Sequence, residues 1–172
     1  MAKEIERKFL VTSDDWRAGA KGVSYVQGYI ATKGDTTMRV RIAGDKGFIT
    51  IKGPREGISR DEYEYEIPKA DAREMLDKMC GEKVEKTRYK IMHQGLVWEV
   101  DEFKGANAGL VVAEVELPSA RHPFDPPPWV GGDVSEDDRY SNSALAKTPY
   151  SQWKSQDNRK SQDAKKCQTP KR

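Results

Sequence analysis

Glu4-Ile5-Glu6-Arg7-Lys8, almost at the N-terminus, decides how the chain is read. As a β-strand, its period of two sets Glu4, Glu6 and Lys8 on one face and Ile5, Arg7 and Phe9 on the other. Two carboxylates and an ammonium then stand about 7 Å apart in a row. Such a row repels itself unless water, a cation or basic neighbours neutralise it. One strand of this kind is an ordinary solvated face, so the question is whether other strands repeat it.

They do. Residues 23–32, 36–43, 48–52, 57–67, 83–93, 96–103 and 110–117 read as further strands, divided by Gly-, Asp- and Pro-bearing turns. One face carries charge in blocks of one sign. The acidic blocks are Glu4/Glu6, Glu62/Glu64/Glu66, Glu99/Asp101 and Glu114/Glu116; the basic ones are Arg39/Arg41, Lys52 and Lys86/Arg88/Lys90. Ile, Val, Met, Tyr, Trp and Phe fill the other face. Ser13 is placed to cap a short helix around Trp16. Pro68 opens a helix over 69–80 with Ala72, Met75, Leu76 and Met79 as its apolar stripe. The order is strand–helix–three strands, given twice, with Glu64-Tyr65-Glu66 echoing Glu4-Ile5-Glu6. Residues 120–140 read as an irregular Pro-rich wrap and 144–147 as a short helical stretch.

Composition narrows the chemistry. The chain has 172 residues, 36% hydrophobic and 34% charged, enough for one domain with a core. Its net charge of +2 hides a tail, 151–172, of net +5, so residues 1–150 carry a net −3. The folded part is therefore no general nucleic-acid binder. No apolar run approaches 18 residues, which argues against a membrane span, and a cytoplasmic protein is the default. Cys80 and Cys167 give no disulfide framework. With His93 and His122 as the only histidines, a metal would be held by carboxylates, hence Mg²⁺, Mn²⁺ or Ca²⁺.

Eight antiparallel strands can close on themselves. The expected fold is α+β: an eight-stranded barrel with a charged lumen, built from two related halves, with helices outside over 1–150 and a polar, frayed or disordered tail over 151–172. Its apolar outer face also offers a surface for a homodimer. Like charges clustered inside a barrel call for ligands of opposite charge. Clustered carboxylates call for divalent cations, and clustered Arg and Lys for phosphate oxygens. A site needing both fits a polyphosphate bound as its metal complex.

Glu4-x-Glu6-x-Lys8, Arg39-x-Arg41, Thr50-x-Lys52-Gly53-Pro54, Glu62-x-Glu64, Lys86-x-Arg88, Glu99-x-Asp101 and the run from Gly105 to Pro118 occur in the same order in the CYTH family, the triphosphate tunnel metalloenzymes, which residues 1–150 resemble. The resemblance implies a tunnel built from two related halves that hydrolyses or cyclises triphosphates with Mg²⁺ or Mn²⁺. Within it the short bacterial inorganic triphosphatases are most similar, which points to tripolyphosphate cleaved to diphosphate and phosphate. A class IV-type adenylate cyclase, a nucleoside or thiamine triphosphatase and a non-catalytic polyphosphate-binding module are the alternatives. First and last strands meet when a barrel closes, so Glu4, Glu6, Glu114 and Glu116 are the expected metal ligands. Glu64 and Asp101 are added as catalytic carboxylates for a second cation or for orienting water. Lys8, Arg39, Arg41, Lys52, Lys86 and Arg88 are expected on phosphate oxygens, with Tyr29 a donor to a terminal phosphate. Lys90 lies near a strand end, Arg60 and Glu62 are placed to pair with each other, and His122 falls on the surface.

Overall fold

The computed structural model describes residues 3–153. Alternating polar and apolar residues give strands β1 (Lys3–Val11), β2 (Gly22–Ile30), β3 (Thr37–Ala43), β4 (Lys46–Lys52) and β5 (Ser59–Ile67). Helix α1 (Lys69–Lys78) follows, then β6 (Val84–His93), β7 (Leu96–Phe103), β8 (Val111–Glu116), β9 (Val130–Asp133) and the short helix α2 (Asn142–Lys147). The ladder runs β5-β4-β3-β2-β6-β7-β8-β1, and β5 pairs back onto β1 to close an eight-stranded antiparallel barrel. The tail expected to be frayed or disordered over 151–172 is ordered at its start, where Tyr150–Gln152 form a 3-10 turn and Trp153 packs edge-on to Tyr140 and Tyr150, because its ring covers the Val84/Phe103/Leu110 cluster. Beyond Trp153 it lies outside the described residues. Among the described residues, no helix is long and apolar enough to cross a membrane.

The two halves are visible in the pairings. β2–β3 recurs as β6–β7, β3–β4 as β7–β8 and β4–β5 as β8–β1, while β1–β5 and β2–β6 join the halves. Glu4 stands opposite Arg60, at the centre of this relation. Glu4, Glu6 and Lys8 thus correspond to Arg60, Glu62 and Glu64, so the echo at Glu64-Tyr65-Glu66 is four residues out of step. Side-chain charge has diverged at these positions, so like residues no longer mark like places.

The apolar outer face is covered in two patches. Val40 and Ile42 lie under Ala72 and Leu76 of α1. The helix comes this close because a Cβ on Gly47 would stand 2.8 Å from that of Ala72, and one on Gly28 2.8 Å from that of Cys80. Met79 leaves the apolar stripe, since the helix ends at Lys78 and Met79 is 60% exposed. On the other side Phe9, Trp98, Val100 and Val115 pack with Trp16, Trp129 and Phe124. The Pro-rich segment is therefore an aromatic cover, and it adds a ninth strand, with Phe9 opposite Asp133 and Val11 opposite Val130. The turn at Trp16 is a 3-10 turn preceded by Asp14; Ser13 accepts from Asp15 N at 3.4 Å.

The inner face is not charged throughout. Val84, Phe103 and Val112 share the inward parity of Lys86, Asp101 and Glu114, and they pack with Leu145 and Ala146 of α2. While α1 lies outside the barrel, α2 lies across one end and stops the lumen there.

Candidate active site

The charged residues of the strands converge on a cavity of about 260 Å³ within the barrel. Glu4, Glu6 and Lys8 of β1, Arg39 and Arg41 of β3, Lys52 of β4, Glu62 and Glu64 of β5, Arg88 of β6, and Glu114 and Glu116 of β8 line it, with Tyr29, Lys90 and Glu99. They meet because period-2 strands that close into a barrel aim every second side chain at the axis. Lys86 and Asp101 do not line it; they are 1% and 0% exposed and lie beneath the wall. Sequence reasoning left out the lining residues Tyr25, Thr37 and Arg55, and Ser141, Asn142 and Ser143 ahead of and within α2. Tyr25 and Thr37 were findable by strand parity, but the segment before α2 has no period to place it.

On the wall of β6, β7 and β8, charge is cancelled at short range. Arg88 forks onto Asp101, Nε to Oδ1 at 2.7 Å and Nη2 to Oδ2 at 2.8 Å, and reaches Glu99 at 2.7 Å. Lys86 Nζ donates to Asp101 at 2.6 Å and to Asn142 Oδ1 at 3.0 Å. Burial pushes the Asp101 carboxyl up, but Arg88 and Lys86 outweigh it and hold it low. Burial, with Arg88 beside it, brings the Lys86 ammonium down to about 7.

Along β1 the acids and bases are interleaved. Lys8 contacts Glu114 at 3.2 Å and donates to Tyr140 O at 3.0 Å. Lys52 holds Glu4 at 2.7 Å and Glu62 at 3.1 Å, and Arg60 contacts Glu4 at 3.5 Å. Arg60 and Glu62 therefore pair with other groups rather than with each other. Glu6 stands directly across from Glu116. Burial, then Glu114 and Glu4, push the Glu6 carboxyl up to about 8. Glu116 is raised by burial and by Glu4, Glu62 and Glu99. Against burial, Lys8, Arg88 and Lys86 hold Glu114 well below the usual range.

The wall of β2, β3 and β4 is short of negative charge. Arg39 reaches Thr50 Oγ1 at 3.1 Å and Glu64 at 3.3 Å, but its Nε is buried without a hydrogen-bond partner among the described residues. Arg41 has no carboxylate within ion-pair distance among the described residues; its Nε donates to Gln27 Oε1 at 3.1 Å and its guanidinium lies 4.9 Å from the Tyr25 ring centroid. Burial, then Arg39 and Arg88, lower the Arg41 guanidinium to about 10. Arg41 lacks an anion and Arg39 Nε an acceptor.

A divalent cation fits the donor chemistry on the other side of the lumen. The available donors are hard carboxylate oxygens, and the half-buried Glu6 carboxyl, pushed up to about 8 by burial and by Glu114 and Glu4, marks an excess of negative charge that the protein does not neutralise. Among the described residues no three such groups already converge closely enough to hold an ion, because Glu4 and Glu114 are engaged by Lys52 and Lys8.

Known proteins are similar to this chain in sequence and fold. The CYTH domain matches residues 2–149. An inorganic triphosphatase of Acetivibrio thermocellus is 52% identical over 155 residues, covering 90% of this chain and 99% of its own. One from Nitrosomonas europaea is 43% identical over 148 residues, covering 83% and 96%. A crystal structure of an inorganic triphosphatase superposes with a TM-score of 0.60 at 38% identity, covering 83% of this chain and 96% of that one. A protein from Pyrococcus horikoshii OT3, 22% identical with a TM-score of 0.54 over 69% of this chain and 80% of that one, shares the fold. A closed barrel with ordered charge motifs, matched over nearly its whole described length, makes this chain a member of the CYTH domain family.

Proposed function

We propose that this chain hydrolyses inorganic tripolyphosphate to diphosphate and phosphate, as a cytoplasmic enzyme dependent on Mg²⁺ or Mn²⁺. The observation that carries the reading is the β3 pair: two buried guanidiniums side by side, Arg41 without a carboxylate and Arg39 with an orphaned Nε among the described residues. A polyphosphate supplies acceptor oxygens at the spacing of adjacent inward residues, and Arg grips them in a fork. The likeness to proteins named inorganic triphosphatase supports the same substrate.

Binding is an exchange of ion pairs. Lys8 and Lys52 leave Glu114 and Glu4 for phosphate oxygens, joined by Arg39, Arg41 and Arg88, with Tyr29 donating to a terminal phosphate. The freed Glu4 and Glu114, with Glu6 and Glu116, would hold the cation. When bound, it neutralises phosphate charge and makes a water more nucleophilic. Glu64, beside Arg39, is placed to orient the water. Lys86 and Asp101 act from behind the wall by fixing Arg88. The attacking water bonds to the terminal phosphorus, the anhydride P–O bond breaks, and the diphosphate leaves with its charge spread over the basic groups. The tunnel domain, 1–150, carries all of this.

A substrate panel tests it: tripolyphosphate, ATP, GTP, thiamine triphosphate and pyrophosphate, each with Mg²⁺ and Mn²⁺. Tripolyphosphate is expected to turn over fastest and excess EDTA to stop the reaction. Cyclic AMP from ATP would make the protein a cyclase, and metal-independent binding without turnover a binding module. A nucleoside or thiamine triphosphate is favoured by one feature, a cleft of about 710 Å³ beside Tyr29 with Ile30, Met38, Met79 and Ala144 in its walls. The homodimer expectation attaches to β5, where Tyr63 and Tyr65 are 41% and 58% exposed; sedimentation of the Tyr63→Ser/Tyr65→Ser variant against the parent tests it.

A further inference from the structure

We propose that Gln27 is a positioning residue: it fixes the Tyr29 hydroxyl as a hydrogen-bond donor toward the lumen while holding Arg41 beside it. The inference rests on the polyphosphate reading of the lumen and adds a residue that reading does not contain. Gln27 sits on the inward face of β2, opposite Arg41 of β3, and is 0% exposed. Arg41 Nε approaches its amide at 3.1 Å, and Tyr29 Oη lies 3.0 Å from the other end. A guanidinium only donates, so the amide oxygen must face Arg41. The amide nitrogen then faces Tyr29, and since it too only donates, Tyr29 Oη must accept. The phenol's own proton is left to point elsewhere, and Tyr29 lines the cavity. An ionised phosphate oxygen is an acceptor, so a tyrosine held this way presents a donor to it. Turned the other way, the phenol would present a lone pair to the anion.

Gln27 does this without spending the charge of Arg41. Arg88, the residue at the matching register in the second half, is itself charged and is engaged by Asp101 and Glu99. A carboxylate at position 27 would still accept from Arg41 Nε, but it would neutralise Arg41 and draw the Tyr29 proton to itself.

The test is a double-mutant cycle on tripolyphosphate with Gln27→Glu, Tyr29→Phe and both, each with its melting temperature. Tyr29→Phe alone is expected to lower kcat about 100-fold, the effect of losing one preorganised donor. In the Gln27→Glu background the same change is expected to cost less than about threefold, because the donor is already turned away. Equal losses in the two backgrounds would overturn the proposal, and a purely structural Gln27 would give that result. A second arm needs neither turnover nor a folded Gln27→Glu protein. In ¹⁵N-labelled protein, Tyr29→Phe is expected to shift the Gln27 side-chain amide resonances and speed their solvent exchange; unchanged resonances would overturn the relay. If the parent protein released no phosphate from tripolyphosphate, the functional reading would fall, and this arm alone would decide whether Gln27 holds Tyr29.

Discussion

The two walls of the barrel share a scaffold and oppose each other in charge. Their registers set Arg39 and Arg41 of β3 where the other half has Glu99 and Asp101 of β7. Likewise Tyr25, Gln27 and Tyr29 of β2 stand where β6 has Lys86, Arg88 and Lys90. In the second half Arg88 faces Asp101 and Lys90 faces Glu99 across the ladder, while Lys86 faces Phe103 and reaches Asp101 beside it. In the first half the acids have become arginines and the bases neutral hydrogen-bonding groups, so Arg41 faces Gln27 and Phe48. One wall is internally neutralised; the other is left wanting an anion. A duplicated barrel thus acquires a directional field by changing side chains at inward positions while its ladder pattern stays the same.

The largest expected effect falls on the neutralised wall. Arg88→Ala strips Asp101, fully buried, of its bidentate partner and leaves only Lys86. Breaking a buried pair from one side costs about 3–5 kcal/mol. A clear fall in melting temperature is expected, and an unchanged melt would mean that this wall is not held by its ion pairs. Arg41→Ala is the counterpart on the open wall. It removes a buried, undercompensated cation, so stability should hold or rise, while transition-state stabilisation read from kcat/KM on tripolyphosphate drops by about 2–4 kcal/mol. Arg41→Lys should recover only part of this, since an ammonium cannot reproduce the guanidinium fork. If Arg41→Ala destabilised the fold and Arg88→Ala did not, the assignment of the walls would be reversed.

Smaller and purely structural is Val40→Ala. Val40 lies between Arg39 and Arg41 but faces outward under Leu76 of α1, fully buried. About 1–3 kcal/mol of stability should be lost through the cavity left behind. Kinetics of the folded fraction should match the parent; a collapse of turnover in still-folded protein would mean that β3 is turned the other way.

Much of this was legible in the chain because charge alternation marks strand faces independently of fold. Glu4/Glu6, Arg39/Arg41 and Glu114/Glu116 each needed only period 2 to be placed together. What was not legible lacked such a signal. Val130–Asp133 carries two glycines after three prolines, and it pairs with β1 through tertiary context rather than propensity. The apolar stretch of the lumen at Val84, Phe103 and Val112 has the right parity, but parity says nothing of a helix end seated on it. Lys86 and Asp101 share the inward face with Arg88, yet depth along the barrel puts them below the cavity wall. Gln27 carries no such signal because it is neutral, although its neutrality is what keeps the charge of Arg41 unspent.

The seam where the walls join gives the smallest effect, and a direction that can be worked out. Glu6 sits on β1, which pairs with both β8 and β5, and burial with Glu114 and Glu4 raises its pKa from 4.5 to about 8. Between those values the folded protein keeps a proton that the unfolded chain has released. The contribution of Glu6 to the stability of the metal-free protein must therefore fall as pH rises from about 4.5 to about 8, and level off above. Glu6→Gln cannot ionise, so this slope should vanish. The variant should melt like the parent near pH 5 and be the more stable of the two near pH 8.5 in EDTA. Added Mg²⁺ should narrow the gap by stabilising the parent alone, because a cation that binds the carboxylates favours their ionised form. Melts at pH 5, 7 and 8.5, with EDTA and with Mg²⁺, read both effects. Parallel pH profiles for parent and variant would show that Glu6 is ionised in the metal-free lumen, and that the basic wall already reaches across the seam to neutralise it.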